Sequence, residues 1–399
     1  MNTFTKEIMS VGEMACGTKL TVPVFSFKAE ENSSEDNLSA VNTAEQSIAP
    51  NVYIQANMHG AEVQGNAVIF QLLELLQHSE LKANITLVPY ANPIGNSHKS
   101  GEYTLGRFDP ITGENWNRMY HFDQSIIKPF AEQHLTSSEE EIKARFEQLV
   151  AEQIDAKLAP SVWGLSTGQR IAYQLQRLAH KADIVLDLHT GPISSKHLYC
   201  AEYSKASAKY FNIEHTLLIP NGFDGAMDEA NFCPWWYLQE AFVDLGRDFT
   251  MGQGIFDKEA YTVELGSQEQ IDLDVAKEDA RDLLTYLQYK GAIGGSEYQP
   301  KEMTRYACHL KDYKTYYAPM GGMVDYLAGF GKPLAAGEPL ARILRMDVYG
   351  DSSINKENES KALHYVSLDQ TVLPILHFAS ANVTQGSELY KVFTNYFEF

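Results

Sequence analysis

Four side chains in this sequence have the types and spacing of a catalytic metal centre. His59 and Glu62 are three residues apart in N-M-H-G-A-E, and His189 lies in D-L-H-T-G. Two histidines and one carboxylate are a common ligand set of catalytic zinc, which keeps a fourth position open for water. Glu264, in Y-T-V-E-L-G, could then act as a general base on that water. The pattern therefore predicts metal-assisted hydrolysis.

These residues follow or end apolar runs that are typical of buried strands. The runs cover residues 51–57, 182–189 and 260–266, and such continuous apolar segments favour the centre of a parallel sheet. Helical patterns alternate with them over residues 63–76, 137–158, 167–181 and 273–289. Strand–helix alternation predicts a doubly wound, mostly parallel α/β sheet, in which ligands bind at the carboxyl ends of the strands.

The chain is predicted to contain two domains. Residues 1–291 form the α/β domain, with a polar loop at 29–49 and a helical insertion at about 121–165. The composition changes after residue 291, where short strand patterns alternate with Gly and Pro turns. Residues 292–399 are therefore predicted to form a small β barrel or sandwich.

Charge and cysteine content narrow the class of protein. The chain has 399 residues and a formal net charge of −20, which disfavours nucleic acid and anionic membranes as partners. Its four cysteines are far apart, and no apolar run approaches the roughly 20 residues that span a bilayer. A cytoplasmic protein with reduced thiols and a small-molecule substrate is expected.

The ordered motifs resemble the succinylglutamate desuccinylase/aspartoacylase family, which is related to the zinc carboxypeptidases. The matching segments run in family order over roughly residues 50–270, and the C-terminal stretch resembles that family's lipoyl-like domain. The resemblance implies a zinc-dependent amide hydrolase with one zinc ion, held by His59, Glu62 and His189. Because family members often form dimers or larger assemblies, a homo-oligomer is also expected.

The resemblance also implies roles for residues around the metal. Glu264 would activate the water and return a proton to the leaving amine, while Arg107 would polarise the scissile carbonyl. Asn117 and Arg118 would bind a substrate carboxylate. A surface salt bridge is the alternative role for either arginine, and it stays open for Arg107. Aspartoacylase itself has a further arginine about ten residues before its catalytic glutamate. Gly254 occupies that offset here, which argues against N-acetylaspartate as substrate.

Three functions remain open at this point. The leading prediction is a deacylase that hydrolyses an N-acyl amino acid or a related small amide through metal-activated water. A zinc metallocarboxypeptidase acting on peptides would use the same side chains. A non-catalytic binding protein on the same scaffold is the third. The C-terminal domain is expected to shape or cover the active-site cleft.

Overall fold

Alternating strands and helices build most of the chain. The computed structural model describes residues 1–29, 49–349 and 362–399, so the predicted polar loop at 29–49 lies almost wholly outside the described residues. The helices are α1 (Gln64–Leu76), α2 (Ile127–Gln133), α3 (Glu139–Leu158), α4 (Thr167–Ala179), α5 (Met227–Asp244) and α6 (Leu273–Tyr289). The first eleven strands are β1 (Phe4–Glu13), β2 (Lys19–Phe27), β3 (Val52–Ala56), β4 (Ile85–Val88), β5 (Lys99–Ser100), β6 (Tyr103–Thr104), β7 (Ile184–Gly191), β8 (Ile193–Ser194), β9 (His197–Ala201), β10 (His215–Ile219) and β11 (Glu259–Ser267). The remaining strands are β12 (Tyr306–His309), β13 (Tyr313–Tyr317), β14 (Gly322–Tyr326), β15 (Pro339–Leu344), β16 (Leu363–Ser367), β17 (Leu373–His377), β18 (Asn382–Val383), β19 (Glu388–Phe393) and β20 (Tyr396–Glu398).

Ten strands form one central sheet in the order β1-β2-β4-β3-β7-β11-β9-β10-β12-β20. Its middle is parallel, since β4, β3, β7 and β11 all run in the same direction. Antiparallel pairs occur toward the edges and between β11 and β9. The prediction of an α/β fold with a large, mostly parallel central sheet is therefore confirmed.

Helices cover both faces of this sheet, which explains why its central strands lack polar alternation. Every residue of β3 and β7 is buried. Along β7, Leu186 and Leu188 contact the core layer that contains Leu72 of α1, whereas Val185 belongs to the opposite layer with Ile171 of α4. Because strand residues alternate between faces, Asp187 and His189 share the face of Val185. The functional side chains thus emerge on the layer covered by α4 and α5.

The helix predicted over residues 137–158 corresponds to α3. Ser138 caps it, because the Ser138 side chain accepts a hydrogen bond from the Glu141 amide at 3.3 Å. Three glutamates fill its first turn and suit the positive end of the helix dipole. Together with α2, this helix lies within the predicted insertion at about 121–165.

Two four-stranded antiparallel sheets, β13-β19-β17-β8 and β16-β15-β14-β18, contain strands of the C-terminal part, and only β8 comes from an earlier part of the chain. A separate apolar core, which includes Leu340 and Ile343, packs between elements of this region. Two strands of the C-terminal part, β12 and β20, extend the central sheet, while β17 pairs with β8. The domain division at residue 291 and the barrel or sandwich architecture remain predictions. No helix in the described segments is long and apolar enough to cross a membrane.

Candidate metal and substrate site

A tight turn after β3 presents the first two predicted ligands. Asn57 adopts a left-handed conformation with φ of 65°. Its side-chain amide donates to the carbonyl oxygens of His59, Gly60 and Glu62 at 3.0, 3.2 and 3.3 Å. A Cβ atom on Gly60 would lie 2.0 Å from the carbonyl oxygen of Gly95, so only glycine fits where these two backbone segments meet.

The three predicted metal ligands converge at the carboxyl ends of β3 and β7. The Nδ1 atom of His59 lies 2.9 Å from Glu62 Oε1, and the Nδ1 atom of His189 lies 2.7 Å from Glu62 Oε2. One donor atom from each of the three residues falls within 4.8 Å of the others. All three side chains are buried, with relative exposures of 4%, 2% and 3% for His59, Glu62 and His189. Buried imidazole and carboxylate donors at this spacing could hold a metal ion.

Both imidazoles have a partner on the ring nitrogen that faces away from Glu62. His59 Nε2 contacts Asn115 Oδ1 at 2.8 Å, and that oxygen also accepts the Asn117 amide at 2.9 Å. Since Asn115 Oδ1 can only accept, His59 Nε2 carries the proton. His189 Nε2 lies 2.8 Å from Asp187 Oδ2. A proton on Nε2, which Asn115 favours on His59 and the Asp187 carboxylate favours on His189, would leave each Nδ1 lone pair free to coordinate a metal.

The electrostatics of these side chains favour a positive charge between them. Burial opposes charge on Glu62, but His59 and His189 hold its pKa well below the ordinary value. Burial also opposes charge on His189, yet Asp187 and Glu62 raise its pKa well above the usual range. Burial lowers the pKa of His59. Metal binding at such a site would compete with protons for the imidazole nitrogens.

Glu264 stands directly across from His189 in the β7–β11 pair. It lines the same cavity as the ligands, and its Oε2 atom is buried without a hydrogen-bond partner. Burial, reinforced by the negative charge of Glu62, raises the pKa of Glu264 to about 7. A carboxyl group that titrates near neutrality can both accept and donate a proton under ordinary conditions.

The remaining predicted residues line the same cavity, which has a volume of about 490 Å³. Arg107 Nη1 lies 3.1 Å from Glu62 Oε1. The Arg118 side chain is 46% exposed and reaches Asp224 at 3.5 Å. The side-chain nitrogen Nδ2 of Asn117 lies 3.2 Å from His189 Nε2. The structure thus brings all seven predicted site residues around one cavity, although their individual roles remain predictions.

Several residues of the cavity wall have no counterpart in the sequence-based prediction. Asn115 orients His59 and belongs to the same N-W-N-R run as Asn117, so its position beside that residue was an available signal. Tyr199 and Asp228 also line the cavity. Tyr199 is brought there by the antiparallel pairing of β9 with β11, opposite Thr262. Such pairing leaves no mark in the local sequence.

The structure combines a mixed α/β sheet with a buried His–Glu–His cluster at the ends of its central strands. This combination defines a class of proteins suited to metal-assisted chemistry in a cavity. The protein-family model of the succinylglutamate desuccinylase/aspartoacylase catalytic domain matches residues 48–158 and 155–290 of this sequence. The matched residues make up more than half of the chain, which therefore belongs to this family of deacylases.

Two solved structures are similar over the whole chain. One is a succinylglutamate desuccinylase/aspartoacylase from Shewanella frigidimarina, with 48% identity, coverage of 100% of this chain and 99% of that chain, and a TM-score of 0.89. The other is a family protein from Shewanella amazonensis, with 48% identity, coverage of 99% and 100%, and a TM-score of 0.88. An ectoine utilization protein from Ruegeria pomeroyi shares the fold at 16% identity, coverage of 98% and 94%, and a TM-score of 0.59. No curated protein matches the chain.

Proposed function

We propose that this protein is a zinc-dependent hydrolase that cleaves the amide bond of an N-acyl amino acid or a related small amide. The observation that carries the proposal is the buried cluster of His59, Glu62 and His189, with Glu264 facing the same cavity. Family membership supports a hydrolytic deacylase. The ligand set and its burial support a metal ion as the electrophilic component.

Zinc fits the donor set best. Two imidazole nitrogens and one carboxylate are intermediate to hard ligands, and no cysteine takes part. A single ion is proposed because one donor atom from each of the three residues lies within 4.8 Å of the others. When bound there, zinc would lower the pKa of water to about 7 and polarise the substrate carbonyl.

The protein's own residues would perform the proton transfers and bind the substrate. Glu264 would take a proton from the attacking water and later give a proton to the leaving amine. Arg107 lies beside Glu62 and would stabilise negative charge that develops on the carbonyl oxygen. Arg118 has an exposed guanidinium that could bind a substrate carboxylate in bidentate fashion, with Asn117 beside it.

The size of the cavity favours a small substrate. Its volume of about 490 Å³ suits one acylated amino acid better than an extended peptide. Leu310, which directly follows β12, contributes to the cavity wall, and this supports the proposal that the C-terminal domain narrows the cleft. A small-molecule partner, a homo-oligomer and a cytoplasmic location are part of the same proposal.

The test combines metal analysis with a substrate panel. The purified protein should contain about one zinc ion per chain. Removal of the metal with a chelator should abolish turnover of N-acyl amino acids, and added zinc should restore it. Cleavage of C-terminal residues from peptides, without cleavage of any N-acyl amino acid, would favour the metallocarboxypeptidase instead. Absence of turnover with both panels, with zinc bound, would favour a binding protein.

A further inference from the structure

One wall of the cavity is acidic beyond what the metal centre uses. Asp224, Asp228 and Glu229 line it in addition to Glu62 and Glu264. They lie in the loop before α5 and in its first turn. Asp228 is only 2% exposed. A buried carboxylate is costly unless a cation or several hydrogen-bond donors compensate it.

Each of the two arginines of the cavity has a carboxylate partner other than Asp228 and Glu229. Arg107 pairs with Glu62, and Arg118 is closest to Asp224. Among the residues that the structure describes, neither Asp228 nor Glu229 has an ion-pair partner within 4.0 Å. Burial raises the pKa of Asp228 to about 7, and the charge of Glu229 adds to the effect. Burial raises the pKa of Glu229 as well, so an ammonium group beside this wall would favour the ionised form of both carboxyl groups.

The internal hydrogen bonds of these two carboxylates leave part of their acceptor capacity free. Asp228 Oδ1 accepts the Glu229 amide at 3.0 Å, and the Thr262 side chain is a second hydrogen-bond partner of this carboxyl group. Glu229 Oε2 accepts the amides of Asp224 and Ala226 at 2.7 and 3.1 Å. Glu229 Oε1 has no hydrogen-bond partner among the described residues, and a carboxylate has about four acceptor sites in all.

An aromatic pair lies next to the acidic wall and favours the same kind of ligand. Phe223 and Tyr237 line the cavity, and the ring of Phe122 packs against both. The ring of Phe122 stacks on Tyr237 at 9° and meets Phe223 edge-on at 83°. The face of an aromatic ring attracts an ammonium group electrostatically. Rings beside carboxylates therefore favour such a ligand.

We infer that the substrate carries a positively charged side chain, such as that of an N-acylated lysine or ornithine, which Asp228, Glu229 and the neighbouring aromatic rings receive. The inference rests on the proposed deacylase function. The substrate carboxylate would contact Arg118, and the ammonium group would lie between the acidic wall and Tyr237. A dicarboxylic substrate would place its second carboxylate against Asp228 and Glu229, where like charges repel.

The experiment compares Nα-acetyl and Nα-succinyl derivatives of lysine, norleucine and glutamate on the zinc-loaded full chain. Lysine and norleucine have side chains of similar length and differ mainly in the ammonium group. We expect kcat/KM for a lysine derivative to exceed that for its norleucine counterpart by about tenfold to a hundredfold. Glutamate derivatives should be the poorest substrates.

Two charge-neutral variants locate the selectivity. Asp228→Asn and Glu229→Gln keep the oxygens that accept the backbone amides, so each should fold normally. Each should reduce the lysine-to-norleucine ratio by about tenfold. Glu240→Gln removes the same charge from an exposed position of α5, away from the cavity, and should leave the ratio unchanged.

Binding to the Glu264→Gln variant provides a readout that needs no turnover. Calorimetry should show the lysine derivative binding at least about tenfold more tightly than the norleucine derivative. Equal turnover or binding of all three side chains would overturn the inference while leaving the deacylase proposal intact. Preference for glutamate, or no binding of either lysine derivative, would also overturn it. Failure of every N-acyl amino acid in the turnover assay would count against the proposed function itself.

Discussion

Replacing Glu264 by Gln should separate what the site needs for chemistry from what it costs in stability. Glutamine has nearly the same shape and cannot ionise, so the fold and the metal ligands should be retained. Loss of the general base should lower kcat by about 10²- to 10⁴-fold. The same change should stabilise the metal-free protein at neutral to alkaline pH, because it removes a carboxylate that burial holds in an unfavourable ionised state.

The size of the stability effect follows from the pKa of Glu264. Burial raises it from 4.5 to about 7, so folding disfavours the ionised form. The wild-type protein therefore loses stability as pH rises above 4.5, and the loss levels off above about pH 7. A difference of one pKa unit corresponds to about 1.4 kcal/mol. The variant should exceed the wild type by about 3 kcal/mol at pH 8 and by less than about 1 kcal/mol at pH 5.

The assay is urea unfolding of both proteins at pH 5 and pH 8, after the metal has been removed with a chelator. Zinc content and turnover are then measured on the zinc-loaded forms. Glu240→Gln, at an exposed site on α5, is the matched control and should change stability by less than about 0.5 kcal/mol at either pH. An active variant with unaltered stability at pH 8 would refute the placement of Glu264 as a buried base.

Three further substitutions test the support of the site and the fold. Asp187→Asn should weaken zinc binding by about 10- to 100-fold, measured by competition with a chelator, because an amide can offer His189 Nε2 a donor and favour the wrong tautomer. Gly60→Ala should cost about 1–3 kcal/mol or more in unfolding free energy and also weaken zinc binding, because its Cβ would lie 2.0 Å from the Gly95 oxygen. Lys258→Met should destabilise the protein by up to about 3–5 kcal/mol in urea unfolding, since the buried ammonium compensates nearby carboxylates.

Each of these variants has a matched control at an exposed or open position. Asp244→Asn and Lys277→Met lie on exposed helix surfaces, and a Cβ at Gly329 would meet no atom within 4 Å. All three controls should change stability by less than about 0.5 kcal/mol. Zinc affinity unaltered in Asp187→Asn would contradict the assigned tautomer. Equal stability of Gly60→Ala and Gly329→Ala would contradict the close backbone approach.

Periodicity identified the elements that carry the metal ligands because those elements are regular and buried. The run at 182–189 corresponds to β7, and the run at 260–266 corresponds to β11. Both lie between helix layers, so both are apolar throughout. The ligand cluster could therefore be located from sequence patterns together with the resemblance.

Helix α5 was not predicted, and its sequence explains why. Pro234 lies inside it, and proline removes a helical hydrogen bond and disfavours a helix interior. The helix is also buried along much of its length, including Phe232 and Trp235, so its apolar residues do not form a single stripe. Tertiary packing between the α2–α3 layer and the central sheet stabilises it despite the proline. The acidic residues at its start consequently had no assigned place near the site.

The charges around the cavity show how metal binding and stability are connected in this protein. Glu62 is shared by two imidazoles and by Arg107, so its charge is compensated even without metal. Glu264 and Asp228 lack a cation within 4.0 Å among the described residues, and burial raises the pKa of both to about 7. A divalent ion beside Glu62 would stabilise ionised Glu264, and an ammonium group beside Asp228 would stabilise ionised Asp228. Binding of each cation should therefore favour ionisation of the neighbouring carboxyl group, and that ionisation should in turn strengthen binding of the cation. For that reason the zinc-loaded, ligand-bound protein should lose less stability between pH 5 and pH 8 than the metal-free protein does.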